Sequence, residues 1–276
     1  MSEQYNKVIF KATHQSYSGG ARKSIRFQLN SKIRCLEFDI HNGGKNLFVD
    51  FKLGHNHPEE EISYEDDNPR SVLLSDWLDT LIDWSKSNPN HEPITLCIDI
   101  KENLVNSSCS TILKSLNSVL QRKLSGKLYT HKDHVNRNDG SLTGTNWPTV
   151  HELAGKFVVF LTGDHYTKWK YWHDLPLKEQ FCFVAYSYED DGGRDYSHQM
   201  LDEAKFANCH LIYWTWGQEQ IRKGKVLRIW GFDPYYDKSG NYRLPTESSF
   251  RGLLCNFPAT DTPYEGWYKA AFSFHC

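Results

Sequence analysis

The 276-residue chain has no run of about 18 consecutive apolar residues, which excludes a transmembrane helix. Its first residues, Met1–Lys7, carry no apolar signal-peptide stretch and lead directly into a strand-like segment. The expected location is therefore cytoplasmic, or exported after signal removal or by another route. Charge of one sign is also lacking. The net charge of −2 gives no global field to draw the chain to nucleic acid or to an anionic membrane. No Cys-x-x-Cys occurs among the seven cysteines, which argues against a zinc–thiolate site. Cys35, Cys97, Cys182 and Cys255 fall inside apolar runs and are expected in the core, as in a reducing compartment. No repeat, low-complexity tract or linker interrupts the chain, so residues 1–276 are read as a single domain, and as a monomer.

What the chain does have is eight short apolar runs bounded by Gly, Asn, Asp or Pro. They are Val8–His14, Ile33–Ile40, Ile94–Ile100, Phe157–Leu161, Phe181–Ser187, Leu211–Thr215, Val226–Trp230 and Leu253–Phe257. Helical spacing separates several of them. Ser71–Ser87 places Leu74, Trp77, Leu78, Leu81 and Trp84 on one face and stops at Asn88-Pro89. Ser108–Lys123 is similar, and Ser197–Phe206 is weaker. Leu47–Leu53 reads as a hairpin extension of the second strand, and Tyr129–Trp147 as an irregular loop on the face where strands end. Strands alternating with helices predict an α/β fold, a (β/α)8 TIM barrel, fully or incompletely closed. Parallel strands bring all their C-terminal ends to one mouth.

Five residues stand at such ends: His14, Glu37, Asp39, His55 and Asp99. Glu37 and Asp39 are two apart on one strand and so face the same side, with Cys35 and His41. An apolar strand cannot bury two carboxylates without a cation or basic partners. Asp99 adds a third, with Lys101 two positions on. Three converging carboxylates suit a hard divalent cation, Ca²⁺ or Mg²⁺, and Gln15 offers a neutral carbonyl ligand. Histidines beside such an ion can act as acid and charge stabiliser in phosphodiester cleavage.

The motifs resemble those of phosphatidylinositol-specific phospholipase C catalytic domains, the X-domain barrel of the calcium-dependent type. The resemblance is carried by Thr13-His-Gln-Ser-Tyr17, Glu37-Phe-Asp-Ile-His-Asn-Gly43, Gly54-His55, the segment Trp84–Ile94, the strand Thr95–Lys101, Leu128-Tyr-Thr130 and Asn146–Phe157. It covers roughly the first 165 residues; the last third matches only in the rhythm of strands and loops. The resemblance implies a Ca²⁺-assisted phosphoric diester hydrolase acting on phosphatidylinositol-like lipids through a cyclic phosphate. His14 would stabilise the phosphoryl group, His55 would protonate the leaving alcohol, and Glu37 or Asp39 would deprotonate the attacking hydroxyl. Gln15, Glu37, Asp39 and Asp99 would hold the ion. Metal-independent enzymes of this group are expected to put an arginine in the cation's place, and the retained carboxylates favour the metal-dependent branch.

Three departures stand out. Gln15 replaces an asparagine. Asp99 stands where the eukaryotic enzymes use glutamate. Leu161-Thr-Gly-Asp-His165 replaces lysines that bind additional inositol phosphates, which points to a headgroup without them. Candidate substrate contacts are Lys101, Trp214, Trp230 and Tyr235, with Trp216, Tyr236, Lys168, Lys170 and Arg194 also considered. The acidic run His57–Asp67 argues against docking to acidic lipid there. His131, His134, His151, His165, His173 and His198 are expected on the surface or in loops. The expected partner is a phospholipid or other phosphodiester, a substrate that allows peripheral membrane contact, with no nucleic acid. Two alternatives remain. One is a glycerophosphodiesterase or sphingomyelinase-like enzyme on the same barrel. The other is a catalytically weak barrel that binds a phospholipid headgroup.

Overall fold

The computed structural model describes residues 3–43, 50–104, 109–124, 126–191, 200, 202–233, 235–236, 242–243 and 255–263, of which 109–111, 191, 235–236 and 242–243 are described by backbone alone. In chain order the elements are β1 (Lys11–Thr13), α1 (Ile25–Asn30), β2 (Ile33–Asn42), β3 (Phe51–Leu53), α2 (Leu74–Ser87), β4 (Ile94–Ile100), α3 (Cys109–Leu124), β5 (Leu128–Tyr129), α4 (His131–Arg137), β6 (Phe157–Gly163), α5 (His165–Asp174), β7 (Phe183–Ser187), β8 (Phe206–His210), α6 (Trp214–Arg222), β9 (Val226–Trp230), β10 (Tyr235–Tyr236), β11 (Tyr242–Arg243) and β12 (Phe257–Thr260). Strands β1, β2, β4, β6, β7, β8, β9 and β12 form one parallel ring, closed because β1 pairs with both β12 and β2. This is the predicted (β/α)8 barrel.

The alternation of each strand divides the protein. On β2, Leu36, Phe38 and Ile40 face outward into the shell formed with α2 and α3, where Trp77, Leu78, Leu81, Leu113 and Leu116 are buried. Cys35 and Cys97 face inward with Phe160, Phe183, Phe206 and Phe257, and Tyr5 and Trp147 close the barrel from below. Phe160 and Phe206 stack at 4.5 Å across this floor. Helix α2 stops before Pro89 because proline cannot donate to the helix and disfavours the helical conformation in the residue before it.

Five expectations from the sequence need correction. The sixth barrel strand is Phe206–His210, not Leu211–Thr215; Leu211–Tyr213 form a 3-10 turn, and Trp214 begins α6. Leu-Ile-Tyr-Trp has the stronger strand composition, but Phe-Ala-Asn-Cys-His is the stretch that pairs on both sides, with β7 and with β9. Phe206 is therefore strand rather than helix; Met200, Asp202 and Glu203 are helical, and 197–199 and 201 lie outside the described residues. The last strand runs Phe257–Thr260 rather than Leu253–Phe257; 253–254 lie outside the described residues.

The stretch Tyr129–Trp147 is not at the mouth. Leu128 and Tyr129 pair with Phe157 and Val158 at the start of β6, and a capping box of Thr130 and Asp133 begins α4. The segment is thus a plug at the opposite end. His131 and His134 are buried in it, not exposed; the His134 ring packs on Trp147 and contacts Tyr129 Oη and Gly144 O. His151 and His173 are exposed, His165 is half-buried, and His198 lies outside the described residues. Strand β3 does pair antiparallel with β2, as the hairpin reading required; 44–49 lie outside the described residues.

Candidate active site

Register alone brings the inward-facing polar residues together. Glu37 is level with Cys97, Asp39 with Asp99, and Asp99 with Thr162. On the far wall Ser187 is level with Asn208, and Asn208 with Arg228. One polar side chain from each of several strands therefore forms a layer directly above the aromatic floor.

Glu37, Asp39 and Asp99 offer oxygens that all lie within 4.8 Å of one another. Calcium–oxygen distances are about 2.3–2.6 Å, so one ion can touch all three. Among the described residues, one arginine and one lysine pair with the cluster. Arg228 Nη2 lies 2.9 Å from Glu37 Oε2, and both side chains are buried. Lys101 Nζ lies 2.7 Å from Asp99 Oδ2 and 3.1 Å from Asp39 Oδ2. Neither oxygen of the fully buried Asp39 accepts a well-aligned hydrogen bond. Burial, then the charges of Glu37 and Asp99, hold the Asp39 carboxyl well above the usual carboxylate range. Burial also works against Glu37, but Arg228, His14 and the Gln15 N–H outweigh it and hold Glu37 below its ordinary value. A buried carboxylate with poorly satisfied oxygens beside two others is a donor set that fits a hard divalent cation.

Gly163 makes the cluster possible. Its φ is +83°, and a Cβ there would stand 2.2 Å from Asp99 Oδ1 and 2.3 Å from Ile100 O. Gly54, at φ +156°, turns the chain where a Cβ would strike His57 O, and its N–H donates to Asp39 O. That turn delivers His55 to the mouth.

His14 follows β1 and is tied to β12 by its N–H donating to Thr260 O. Its Nε2 lies 3.5 Å from Glu37 Oε2, and its Nδ1 donates to Asp261 Oδ1 at 2.7 Å. Arg22 in turn binds Asp261 and donates to His14 O. Burial opposes the imidazolium, but Glu37 and Asp261 prevail and raise His14 above its ordinary value. The Trp230 ring stacks on His14 at 5.1 Å and 11°.

A cavity of about 450 Å³ opens above these groups, lined by His14, Glu37, His55, Asp99, Lys101, Arg228 and Trp230 and by a polar wall of Thr162, Ser187, Glu189, Asp190 and Asn208. The wall is internally bonded. Arg228 donates to Asn208 Oδ1, Asn208 to Thr162 Oγ1, and Lys168 to Ser187 Oγ and Asp190 Oδ2.

The structure thus brings His14, Glu37, Asp39, Asp99, Lys101, His55 and Trp230 to one site. Gln15 reaches it by its backbone N–H, which donates to Glu37 Oε2, while its side-chain carbonyl accepts from Arg22. Trp214 is 40% exposed and lies outside the cavity lining. Tyr235 belongs to the small β10–β11 ladder, and its side chain lies outside the described residues. Lys168 is not free for phosphate, since it is fully buried against Asp190. Lys170 pairs with Asp174 on α5, and Arg194 lies outside the described residues.

The sequence reading missed Arg228 and Asp261. A charged residue midway along Val226-Leu-Arg-Ile-Trp230, on the same face as Trp230, was the available signal for Arg228. Asp261 directly follows the last strand and was hidden by placing that strand too early.

A closed parallel barrel with a buried carboxylate triad and two histidines at its mouth is an arrangement suited to metal-assisted hydrolysis. The family described as phosphoinositide phospholipase C, Ca²⁺-dependent, matches residues 62–224, and the chain belongs to that family. The match begins beyond His14, Glu37, Asp39 and His55 and includes Asp99 and Lys101. No curated protein is a detectable relative by sequence. Among solved structures, the calcium-dependent phosphoinositol-specific phospholipase C of a Gram-negative Pseudomonas species, in its myo-inositol complex, is 19% identical over 99% of this chain and 93% of that one, with TM-score 0.75. The Ca²⁺-dependent phosphatidylinositol-specific enzyme of Streptomyces antibioticus is 16% identical over 99% of each chain, with TM-score 0.72. An Oleispira antarctica phosphodiesterase, in complex with sn-glycerol-3-phosphate, is 10% identical over 93% of this chain and 94% of that one, with TM-score 0.51. At these identities the likenesses show the fold. The protein is a phospholipase C-type phosphodiesterase.

Proposed function

We propose that this enzyme cleaves phosphatidylinositol, with no additional phosphates on the ring, by Ca²⁺-assisted attack of an internal hydroxyl on phosphorus, releasing a cyclic phosphate and diacylglycerol. The observation that carries this reading is the convergence of Glu37, Asp39 and Asp99 beneath a cavity that His14 and His55 also line. The residues that would hold the ion are those three carboxylates. The ion supplies charge stabilisation at the phosphoryl oxygens and lowers the pKa of the attacking hydroxyl.

The chain's own residues account for the rest. His14, whose charged form Glu37 and Asp261 favour and whose ring Trp230 positions, donates to a phosphoryl oxygen as negative charge develops there. A carboxylate of the Glu37–Asp39 pair takes the proton of the attacking hydroxyl. His55, one-third exposed and 3.5 Å from Glu61, gives a proton to the leaving alcohol at the solvent side. The wall of Thr162, Ser187, Asn208, Glu189 and Asp190 suits hydroxyls rather than phosphates, because Lys168 behind it is already paired with Asp190. The Pseudomonas relative's myo-inositol complex supports a polyol of this kind.

The test is ³¹P NMR of phosphatidylinositol in mixed micelles, with Ca²⁺ and with chelator. A cyclic inositol phosphate signal that needs Ca²⁺ and disappears in His14→Ala supports the proposal. Turnover in chelator would refute the metal role. No turnover would redirect the assay to glycerophosphodiesters and lysophospholipids.

A further inference from the structure

The two cations that serve the carboxylates are not equivalent. Arg228 is fully buried, pairs with Glu37 of the three carboxylates, and is fixed from the other side by Asn208 Oδ1 at 2.9 Å. It cannot leave without stranding a buried charge. Lys101 stands just past the end of β4, its N–H anchored to Ile40 O. Its ammonium sits at the end of a flexible stem, is one-fifth exposed, and bridges Asp39 and Asp99 from the cavity side. An ammonium and a divalent cation would compete for the same oxygens, and a cluster whose oxygens lie within 4.8 Å of one another has room for one of them.

We propose that Lys101 is a resident counter-ion of the carboxylate cluster. It is exchanged for the divalent cation when that binds, and the freed ammonium then faces the substrate's phosphate in the cavity it already lines. This rests on the reading of the cluster as a Ca²⁺ site.

The charge count supports the exchange. With all three carboxylates ionised to hold a cation, and His14 balanced by Asp261, Arg228 and Lys101 leave the cluster one net negative charge. A divalent cation reverses that to one net positive charge, which a phosphodiester monoanion cancels. Metal and substrate should therefore strengthen each other's binding, and by linkage the effect is equal in both directions. Without substrate, displacing Lys101 weakens metal binding, because part of the ion's attraction to Asp39 and Asp99 is spent replacing an existing pair.

The experiment is calorimetric titration of Ca²⁺ into chelator-stripped protein. Lys101→Met should bind Ca²⁺ roughly tenfold or more tightly than wild type, since a unit positive charge paired with Asp39 and Asp99 no longer opposes the ion. Lys101→Arg, which keeps the charge, should stay within a few-fold of wild type. In thermal melts, Lys101→Met should be less stable than wild type without Ca²⁺ and should gain more from its addition. A second readout needs no variant: acetylation of Lys101 in the wild-type protein, followed by mass spectrometry, should speed up when Ca²⁺ is added. Equal or weaker binding by Lys101→Met, or slower acetylation with Ca²⁺, would overturn the exchange and leave the metal site standing. Absence of Ca²⁺ binding by wild type and variant alike would overturn the metal reading itself.

Discussion

Arg228 on β9 and Glu37 on β2 meet inside the barrel at 2.9 Å, both shielded from solvent. Removing one partner leaves the other charged and dry. Arg228→Met should cost about 3–5 kcal/mol in urea unfolding. The double variant Glu37→Gln/Arg228→Met should cost less than the sum of the two single changes, because it strands no charge. Additive losses would show that the pair is not coupled.

Gly163→Ala should damage both the metal site and the end of β4. A methyl at φ +83° overlaps both Asp99 Oδ1 and the Ile100 backbone, so that carboxylate and the end of β4 must both shift. The expected stability loss is about 1–3 kcal/mol, with Ca²⁺ affinity at least about tenfold weaker. Calorimetry and thermal melting on the same sample separate the two effects, and unchanged affinity would mean that Asp99 is not a ligand.

Asp261→Asn tests the His14 dyad. Asp261 helps raise His14, so losing its charge lowers the pKa of the ring. A role for charged His14 is lost as pH rises through that pKa, so the alkaline limb of kcat/KM should move to lower pH. Activity near neutrality should fall at least about tenfold. NMR titration of the His14 ring reads the shift independently of turnover.

The plug beneath the barrel should make stability acid-sensitive. Burial lowers His134 from 6.5 to about 4, with Lys205, His131 and Arg137 adding to the effect. The unfolded chain therefore binds a proton that the folded one refuses between those values, and stability falls as pH drops from about 6.5 to 4. The full effect is on the order of 2–3 kcal/mol. The stability advantage of wild type over His134→Gln, from melts at a series of pH values, should shrink across that window.

Ile212, in the turn after β8, and Trp214, at the start of α6, stand 68% and 40% exposed beyond His210, which packs edge-on against Trp230 of the cavity. Tyr213 between them is pinned by stacking on Tyr188 at 3.7 Å. A rigid apolar projection at the mouth suits contact with a lipid surface. Ile212→Ser/Trp214→Ser should lower binding to phosphatidylcholine vesicles about tenfold or more while sparing turnover of a soluble short-chain substrate. Equal losses on both substrates would place these residues in catalysis instead.

Much of this was legible from the residues. Ile33–Ile40, Ile94–Ile100 and Val226–Trp230 announce themselves because a strand buried on both faces must be apolar except where it carries function. The polar exceptions Glu37, Asp39 and Asp99 therefore marked the candidate site, where the structure brings them together. Phe206–His210 did not announce itself, because Ala, Asn and Cys have little strand preference of their own, and its neighbours on both sides impose the conformation. The same holds for His134: nothing local shows that Tyr129–Trp147 folds under the barrel, since its burial comes from contacts with residues distant in the chain.

The sequence by itself determined the barrel, the mouth and the carboxylates, because period-two alternation and strand ends are local properties. Only the tertiary structure decided which cations answer those carboxylates, that Asp261 holds His14, and that Trp214 lies outside the cavity. Those facts depend on the closure of β1 against β12 and on the register of β9, set by packing around the whole ring rather than by any one segment.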